Sequence, residues 1–316
     1  MLLLTLKLRM VNTSMQSAAL FYLFTTVCIG YAAFRMKLLP DAATAALPAL
    51  LTNLCYPAMI LSTFRDLSIK ELLSSGLTVV IITFLVTLAL YFIGKVLFRN
   101  YERPQRLLLQ YILGIGNVTY VGIPLISIFF GAEGVSYAIL HGVVQDVLIW
   151  MLYYPSFLGK SEQMDKRRLA SPCLIALMIG LIITVTQWEP PVFLNQTIDR
   201  LSSAASPIAL IFLGITIAKY GVFRWIKSTP AIMISIIKVV CLPLLLFCVL
   251  SLVTDRYNTI LLCILFACPA PIMSIVWAWQ YEGDVELSIN SCICSTQLYL
   301  LFIGVTLILL SLIGWI

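Results

Sequence analysis

The stretch Gly114-Ile-Gly-Asn117-Val-Thr119-Tyr120-Val-Gly122-Ile-Pro124 lies inside an apolar run from about Leu107 to Phe130 that is long enough to cross a bilayer. It carries three glycines and a proline where a spanning helix should be regular. Proline removes a backbone N–H and clashes with the carbonyl four residues earlier, here that of Tyr120, so we expect the helix to break. Broken helices inside the membrane leave polar backbone that only protein or an internal cavity can satisfy, and secondary transporters bind substrate there.

The composition identifies the class of protein. Of the 316 residues, 61% are hydrophobic and 11% are charged, and the mean hydropathy is +1.02. Because soluble domains contain roughly 45–50% apolar residues, we predict an all-α polytopic membrane protein embedded in a lipid bilayer. The net charge of +6 is spread over short connections without a basic run, which argues against a nucleic acid partner.

Cysteine and histidine usage gives no sign of a metal or redox site. The nine cysteines lie mostly in apolar segments and form no C-x-x-C pair, so we interpret them as packing residues. His141 is the one histidine of the sequence, which excludes a histidine-rich metal site. We expect no cofactor.

Ten apolar segments are each able to cross the ~30 Å hydrocarbon core. They are residues 15–34, 43–64, 76–98, 107–130, 135–158, 172–188, 200–218, 230–252, 258–280 and 290–314. The most charged connection runs from Lys160 to Ser171. We therefore predict a first five-helix repeat in residues 1–159, a cytoplasmic connecting loop in residues 160–171 and a second five-helix repeat in residues 172–316.

Lysine and arginine are distributed unevenly between alternate connections. Thirteen follow the first, third, fifth and seventh segments: Arg35, Lys37, Lys95, Arg99, Arg103, Arg106, Lys160, Lys166, Arg167, Arg168, Lys219, Arg224 and Lys227. The opposite side holds six, which are Lys7, Arg9, Arg65, Lys70, Arg200 and Arg256. By the positive-inside rule, the first set is cytoplasmic and both termini lie outside, as expected for a multi-pass protein of the cell membrane.

The two halves of the chain resemble each other at a nearly constant offset. Pro40 corresponds to Pro190, Pro57 corresponds to Pro207, and the fourth segment falls on the ninth, which contains Ala267-Cys-Pro269-Ala-Pro271. With an odd number of spans in each half, the second half inserts upside down. The pattern predicts a 5+5 inverted repeat whose broken fourth and ninth helices cross near the bilayer centre.

Several motifs resemble one known family. Asn117-Val-Thr-Tyr-Val-Gly122-Ile-Pro124-Leu is similar to the N-x-x-x-x-G-x-P-L signature in the fourth span of the auxin efflux carrier family, which includes the plant PIN auxin carriers and their bacterial relatives. Supporting matches are Gly30-Tyr-x-x-x-Arg35-x-x-x-Leu39-Pro40, Asn53-Leu-x-x-Pro57-Ala, Ser206-Pro207-x-Ala-Leu-x-x-Leu-Gly214, Lys238-x-x-x-x-Pro243 and Trp277-Ala-x-Gln-Tyr281. Together they cover the chain from about Ser17 to Ile308.

The resemblance implies a ten-span carrier of small organic anions, with a scaffold and a moving transport unit in each half. It assigns Asn117 to the substrate carboxylate, with the backbone freed by the crossover prolines Pro124, Pro269 and Pro271 beside it. The PIN-type pattern has a proline at the position of Ser274. We therefore expect the second break about one turn earlier here, with Ser274 next to the site.

The chemistry of Asn117 and its neighbours also favours a binding role. The Asn117 amide offers two donors and an acceptor at a helix break, where freed N–H groups attract negative charge. Thr119 and Tyr120 flank it with hydroxyl groups. The alternative is that the amide only forms an interhelical hydrogen bond.

Candidate groups for ion or proton coupling lie in the second, fifth and eighth segments. An ionised Asp146 near the midplane costs at least ~2.5–3.5 kcal/mol, so it needs a partner, a cavity or a proton. His141 and Gln145 lie on a neighbouring face of the same segment. Each of these residues could instead be a packing or hydrogen-bonding residue of a helix interface.

Lys238 and Asn53 complete this set. Lys238 could offset the charge of an anionic substrate, pair with Asp146, or extend its ammonium group towards the membrane surface. Asn53 lies four residues before Pro57, so its carbonyl is freed from helix bonding and could coordinate sodium, although such carbonyls often only ease a kink.

The sequence thus favours a secondary transporter for a small carboxylate, driven by H+ or Na+. No Walker A motif is present, and neither His141 nor Asp146 has the polar partner that a membrane acyltransferase or aspartyl protease requires, so we do not expect an enzyme. The alternative is a non-transporting membrane sensor with the carrier fold. The sequence leaves the oligomeric state open, with a homodimer as one option.

Overall fold

The computed structural model describes residues 21–22, 24–40, 46–47, 49–66, 69, 76–158 and 172–312. These residues are helical apart from their connections and include no strand. The all-α prediction is therefore confirmed for the described part of the chain. The predicted cytoplasmic loop, residues 160–171, lies outside the described residues, as do both termini.

The first half contains helices α1 to α6. Their bounds are residues 24–35 (α1), Tyr56–Asp66 (α2), Leu77–Leu97 (α3), Arg103–Gly114 (α4), Ile123–Leu148 (α5) and Tyr154–Leu158 (α6). Three π-helical turns precede α2, α5 and α6, at Leu51–Cys55, Val118–Gly122 and Ile149–Tyr153. Inside α5, Gly131 has a positive φ of 62°, which only glycine adopts at low cost, and it separates the end of the fourth predicted segment from the fifth.

The second half contains helices α7 to α13. They are Pro172–Thr186 (α7), Val192–Tyr220 (α8), Thr229–Ile236 (α9), Leu242–Leu250 (α10), Arg256–Phe266 (α11), Met273–Gln280 (α12) and Val285–Leu312 (α13). A π-helical turn at Ile237–Cys241 joins α9 to α10. Prolines occupy the first turns of α4 and α9, where the missing N–H has no helical partner to lose. Pro124 of α5 and Pro243 of α10 instead each follow a π-helical turn directly, so the helix there continues from the preceding residues.

Five helices of the described residues are long and apolar enough to cross a membrane. They span Leu77–Leu97, Glu133–Phe157, Val192–Tyr220, Thr229–Leu250 and Val285–Thr306, and Ile175–Thr186 and Arg256–Phe266 are shorter apolar helices. At 1.5 Å per residue, the 21 residues of α3 reach about 31 Å. The chain is therefore a multi-pass membrane protein.

The helices pack in two groups. Group 1 contains α1, α2, α7 and α8, because α2 packs against both α7 and α8. Gly30 of α1 and Gly214 of α8 let these two helices touch backbone to backbone, since a Cβ at either position would overlap the other helix. Group 2 contains α3 to α6 and α9 to α13, in which α3 packs on α4 and α5, and α9 packs on α13.

Candidate functional site

Two helical segments of group 2 are interrupted, and the interruptions touch. After α4 ends at Gly114, residues 115–117 are not helical, and residues 267–272 are not helical between α11 and α12. The backbone N–H of Asn117 donates a 2.8 Å hydrogen bond to the carbonyl of Pro269. The first break lies before Pro124, and the π-helical turn Val118–Gly122 leads from the break directly into α5.

Glycine makes this close approach of the two interruptions sterically feasible. A Cβ on Gly116 would lie 2.8 Å from Cβ of Cys268, and a Cβ on Gly122 would lie 2.7 Å from its Sγ atom. Both distances are below van der Waals contact, so larger side chains would force the interruptions apart. These glycines account for the Gly-rich character of the stretch around Asn117.

Buried side chains satisfy the backbone groups freed by the first interruption. Gln145 Oε1 accepts the N–H of Gly116, and Gln145 Nε2 donates to the carbonyl of Gly114, both at 3.3 Å. Lys238 Nζ donates to the carbonyl of Leu113 at 3.2 Å. Both side chains are almost fully buried. They therefore replace the helical hydrogen bonds that the break removes.

Side chains of α13 satisfy the second interruption in a similar way. The N–H of Ala270 donates to Ser295 Oγ at 2.9 Å, and the Cys292 thiol donates to the carbonyl of Pro271 at 3.5 Å. Ser274 exchanges a 2.7 Å hydrogen bond with Ser288. Ser295 follows Gln145 in the sequence by the same number of residues that separates Pro207 from Pro57. Side chains thus satisfy freed backbone groups at both interruptions.

Asn117 combines burial with an unused hydrogen-bond donor. Only 4% of the residue is exposed, and its Nδ2 has no hydrogen-bond partner among the described residues. Its own carbonyl accepts the N–H groups of Val121 and Gly122 at 3.2 Å. An unpaired buried donor costs roughly 1–3 kcal/mol. A ligand acceptor that reaches Nδ2 would recover this energy.

A cavity of about 340 Å³ lies where group 1 meets the turn after Asn117. Its walls come from α2, α5 and α8, together with Thr119 from the π-helical turn. Most of its polar lining is hydroxyl, from Ser62, Thr63, Thr119, Ser127, Ser136, Ser202, Ser203 and Ser206, with Asp66 as the carboxylate. The cavity is therefore an apolar chamber with a set of hydroxyl groups in its walls, and it lies between the two helix groups, next to the interruption.

An ion-pair network fixes the group 1 side of this cavity. Arg65 pairs with Asp66 at 2.8 Å and with Asp199 of α8 at 3.0 Å, and the Ser62 hydroxyl donates to Asp199 at 3.1 Å. These contacts join the end of α2 to α8. Group 1 can therefore keep its shape while its contacts with group 2 change.

The structure brings some sequence-predicted residues together and separates others. Asn117, Gln145, Pro269 and Lys238 lie at or next to the first interruption, and Pro271 and Ser274 border the second. Thr119 lines the cavity. Tyr120 lies in the π-helical turn Val118–Gly122.

Three predicted coupling residues have distinct surroundings. Asp146 is half-buried, and its carboxylate forms no hydrogen bond or ion pair with the described residues, so it is not paired with Lys238. His141 is buried, shares a 2.9 Å hydrogen bond with Thr83 through Nδ1, and meets the Phe266 ring edge-on at 4.8 Å. Asn53 is exposed and is not among the residues that line the cavity.

Sequence reasoning missed most of the hydroxyl groups of the cavity. Ser202 and Ser206 are four residues apart, which places them on one face of α8, and this spacing was the signal available in the sequence. Nothing in the sequence indicated that this face meets Ser62 and Thr63 of α2, since that depends on how the helices pack.

Comparison with known proteins places the chain among transporters. The family model described as membrane transport protein matches residues 16–168 and 156–316. An uncharacterized transporter of Methanocaldococcus jannaschii is 26% identical over 307 residues, covering 92% of this chain and 95% of the relative. A Rhizobium meliloti protein named "Putative malonate transporter" is 27% identical over 244 residues, which are 72% of this chain and 74% of that protein.

Proposed function

The chain belongs to the membrane transport protein family, and we propose that it is a secondary carrier of small carboxylates. The unpaired, buried Nδ2 of Asn117 carries the proposal, because a carboxylate oxygen is the acceptor that this donor lacks. The name of the Rhizobium meliloti relative suggests malonate as a first substrate to test.

The proposed architecture is a ten-span 5+5 inverted repeat, in which the two interruptions are breaks in crossing spans at the bilayer centre. The equivalent roles of Gln145 and Ser295 support this repeat. Helix packing supports it as well. In the first half, α3 packs on α4 and α5; in the second half, α10 packs on α11 and α9 packs on α13, so that α9 and α10 together take the place of α3. By the positive-inside distribution, the exposed Asp66 in the wall of the cavity would face the outer side.

Transport would proceed by movement of group 2 against group 1. The cavity lies between the groups and holds Thr119 from group 2 opposite serines from group 1. A substrate bound there and at Asn117 would become accessible from the other side when group 2 shifts, which is a form of alternating access. Group 1, fixed by Arg65 and Asp199, would act as the scaffold.

Asp146 is the proposed proton site. It lies on the same helix as Gln145, which holds the first interruption, and its half-buried carboxylate has no cationic partner among the described residues. A carboxyl group in that position can take up a proton on one side of the membrane and release it on the other. Sodium at the same carboxylate is the alternative coupling ion.

Flux measurements in proteoliposomes test the proposal. Radiolabelled malonate should enter vesicles that contain the wild-type chain, and Asn117→Ala should abolish entry. Asn258→Ala is a matched control, because Asn258 is also 4% exposed but lies at the start of α11, where its Nδ2 already donates to Asp255 at 2.6 Å. Binding of malonate without flux would instead identify a sensor, and equal loss of flux in both variants would remove the specific role of Asn117.

A further inference from the structure

Lys238 places an uncompensated charge beside the first interruption. Its side chain is fully buried in the π-helical turn Ile237–Cys241. Its amine donates a hydrogen bond to the carbonyl of Leu113 and forms no ion pair with the described residues. A buried cation without a counter-ion is costly, so its charge must be balanced at a greater distance or by a ligand.

The other groups near Lys238 are neutral or become neutral beside it. His141 of α5 is a titratable neighbour of Lys238, and two nearby buried cations would repel each other, so the imidazole is neutral when the amine is charged. Cys268 and Tyr299 also face this region and carry a thiol and a phenol. None of them supplies a negative charge to offset the lysine.

Asp146 is the one other charged side chain in the described interior of group 2. The remaining charged residues of that group lie near helix ends and in connections, apart from Glu133, which is exposed on α5. Tyr111 faces Asp146 from α4, and it is uncharged. The interior of the empty group 2 therefore contains one basic and one acidic side chain, which are not paired with each other.

Building on the proposed carrier function, we propose that Lys238 and Asp146 make the empty moving unit electrically neutral, so that the carrier takes one monocarboxylate together with one proton. When the proton neutralises Asp146, Lys238 balances the single negative charge of the substrate. Both the empty and the loaded unit then cross the membrane without net charge. A dicarboxylate with one proton would leave a charge of −1.

Membrane potential makes this charge balance measurable. A full elementary charge that crosses 100 mV changes an equilibrium by about 50-fold. A neutral unit does not respond to the potential, whereas removal of either charged side chain leaves a unit that does. A lysine that only caps the carbonyl of Leu113 would have no such effect.

Voltage jumps on membranes that contain the substrate-free full chain test the proposal. At neutral pH the wild type and Lys238→Arg should show no transient charge movement. Lys238→Met and Asp146→Asn should each show a transient of up to about one elementary charge per protein. The two transients have the same polarity for a given voltage step, because mobile charges of either sign follow the field, but the same potential should collect the two variants on opposite sides of the membrane. The double variant should again be silent. Transients in the wild type or in the double variant would overturn the proposal, as would a silent Lys238→Met or Asp146→Asn that still transports.

A parallel flux assay separates this proposal from the carrier function on which it rests. Monomethyl malonate, a monoanion, should enter vesicles with one proton and with less than about a twofold effect of 100 mV, whereas malonate entry should depend on the potential. If neither probe enters, the carrier function for malonate-like acids fails. If entry of monomethyl malonate depends on the potential as strongly as entry of malonate does, the charge balance is contradicted but the carrier function stands.

Discussion

Replacing Gln145 with methionine removes the side chain that holds the first interruption while preserving its length and burial. The substitution leaves the N–H of Gly116 and the carbonyl of Gly114 without their partner. Each buried group without a hydrogen bond costs roughly 1–3 kcal/mol, and the 3.3 Å lengths favour the lower end. We expect a loss of about 2–3 kcal/mol in unfolding free energy.

Thermal unfolding of the purified protein measures this loss. At roughly 2 °C per kcal/mol for a large chain, the midpoint should fall by about 4–6 °C. Gln110→Met is the matched control, because Gln110 is equally buried but donates a single 2.8 Å hydrogen bond, to the carbonyl of Tyr91. Its midpoint should fall by about half as much. Equal losses in the two variants, or no loss in Gln145→Met, would refute the assigned role of Gln145.

Two further substitutions test the packing and the caps. Gly122→Val places a side chain against Cys268 Sγ, so it should separate the interruptions and abolish malonate flux. Gly304→Ala is the control, because this helical glycine of α13 has no atom within 4 Å of the place that a Cβ would occupy, and it should retain at least half of the flux. In the connection before α11, burial of Asp255 opposes ionisation, but hydrogen bonds from Asn258 outweigh it and lower the pKa of this carboxyl. Its cap therefore stabilises the protein above the unfolded pKa and is lost as pH falls through the folded pKa. Asp255→Ala should cost about 0.5–2 kcal/mol at neutral pH, and the difference in melting temperature from the wild type should vanish in acid; a difference that persists would contradict the cap.

The sequence predicted the helical, membrane-spanning character because it depends on local composition. The long apolar runs of α3 and α9 to α10 became helices close to their predicted bounds. The resemblance to the auxin efflux carriers is also confirmed by the family match. These features need no knowledge of which helices meet.

The position of the first break was predicted less well. Pro124 suggested a break at Tyr120, but residues 118–122 form a π-helical turn that leads into α5, and the non-helical residues lie earlier, at 115–117. For the second break, the prolines Pro269 and Pro271 mark the interruption, and Ser274 is already helical.

Contacts between distant segments could not be predicted from the sequence. Lys238 meets Leu113 across 125 residues, and the serines of α2 and α8 share a cavity, because helix packing brings them together. A polar residue in an apolar segment indicates that a partner is needed, but it does not identify that partner.

The most direct test of the proposed carrier site is the distance between the Asn117 amide and a bound carboxylate. Solid-state NMR can measure the dipolar coupling between ¹⁵Nδ2-labelled asparagine in the membrane-embedded protein and ¹³C-carboxyl malonate, with Asn117→Ala as the assignment control. We predict a nitrogen-to-carbon distance of about 3.5–4 Å, as a direct hydrogen bond requires, and loss of this coupling in the variant. Malonate that binds without any coupling to Asn117 would contradict the proposed site.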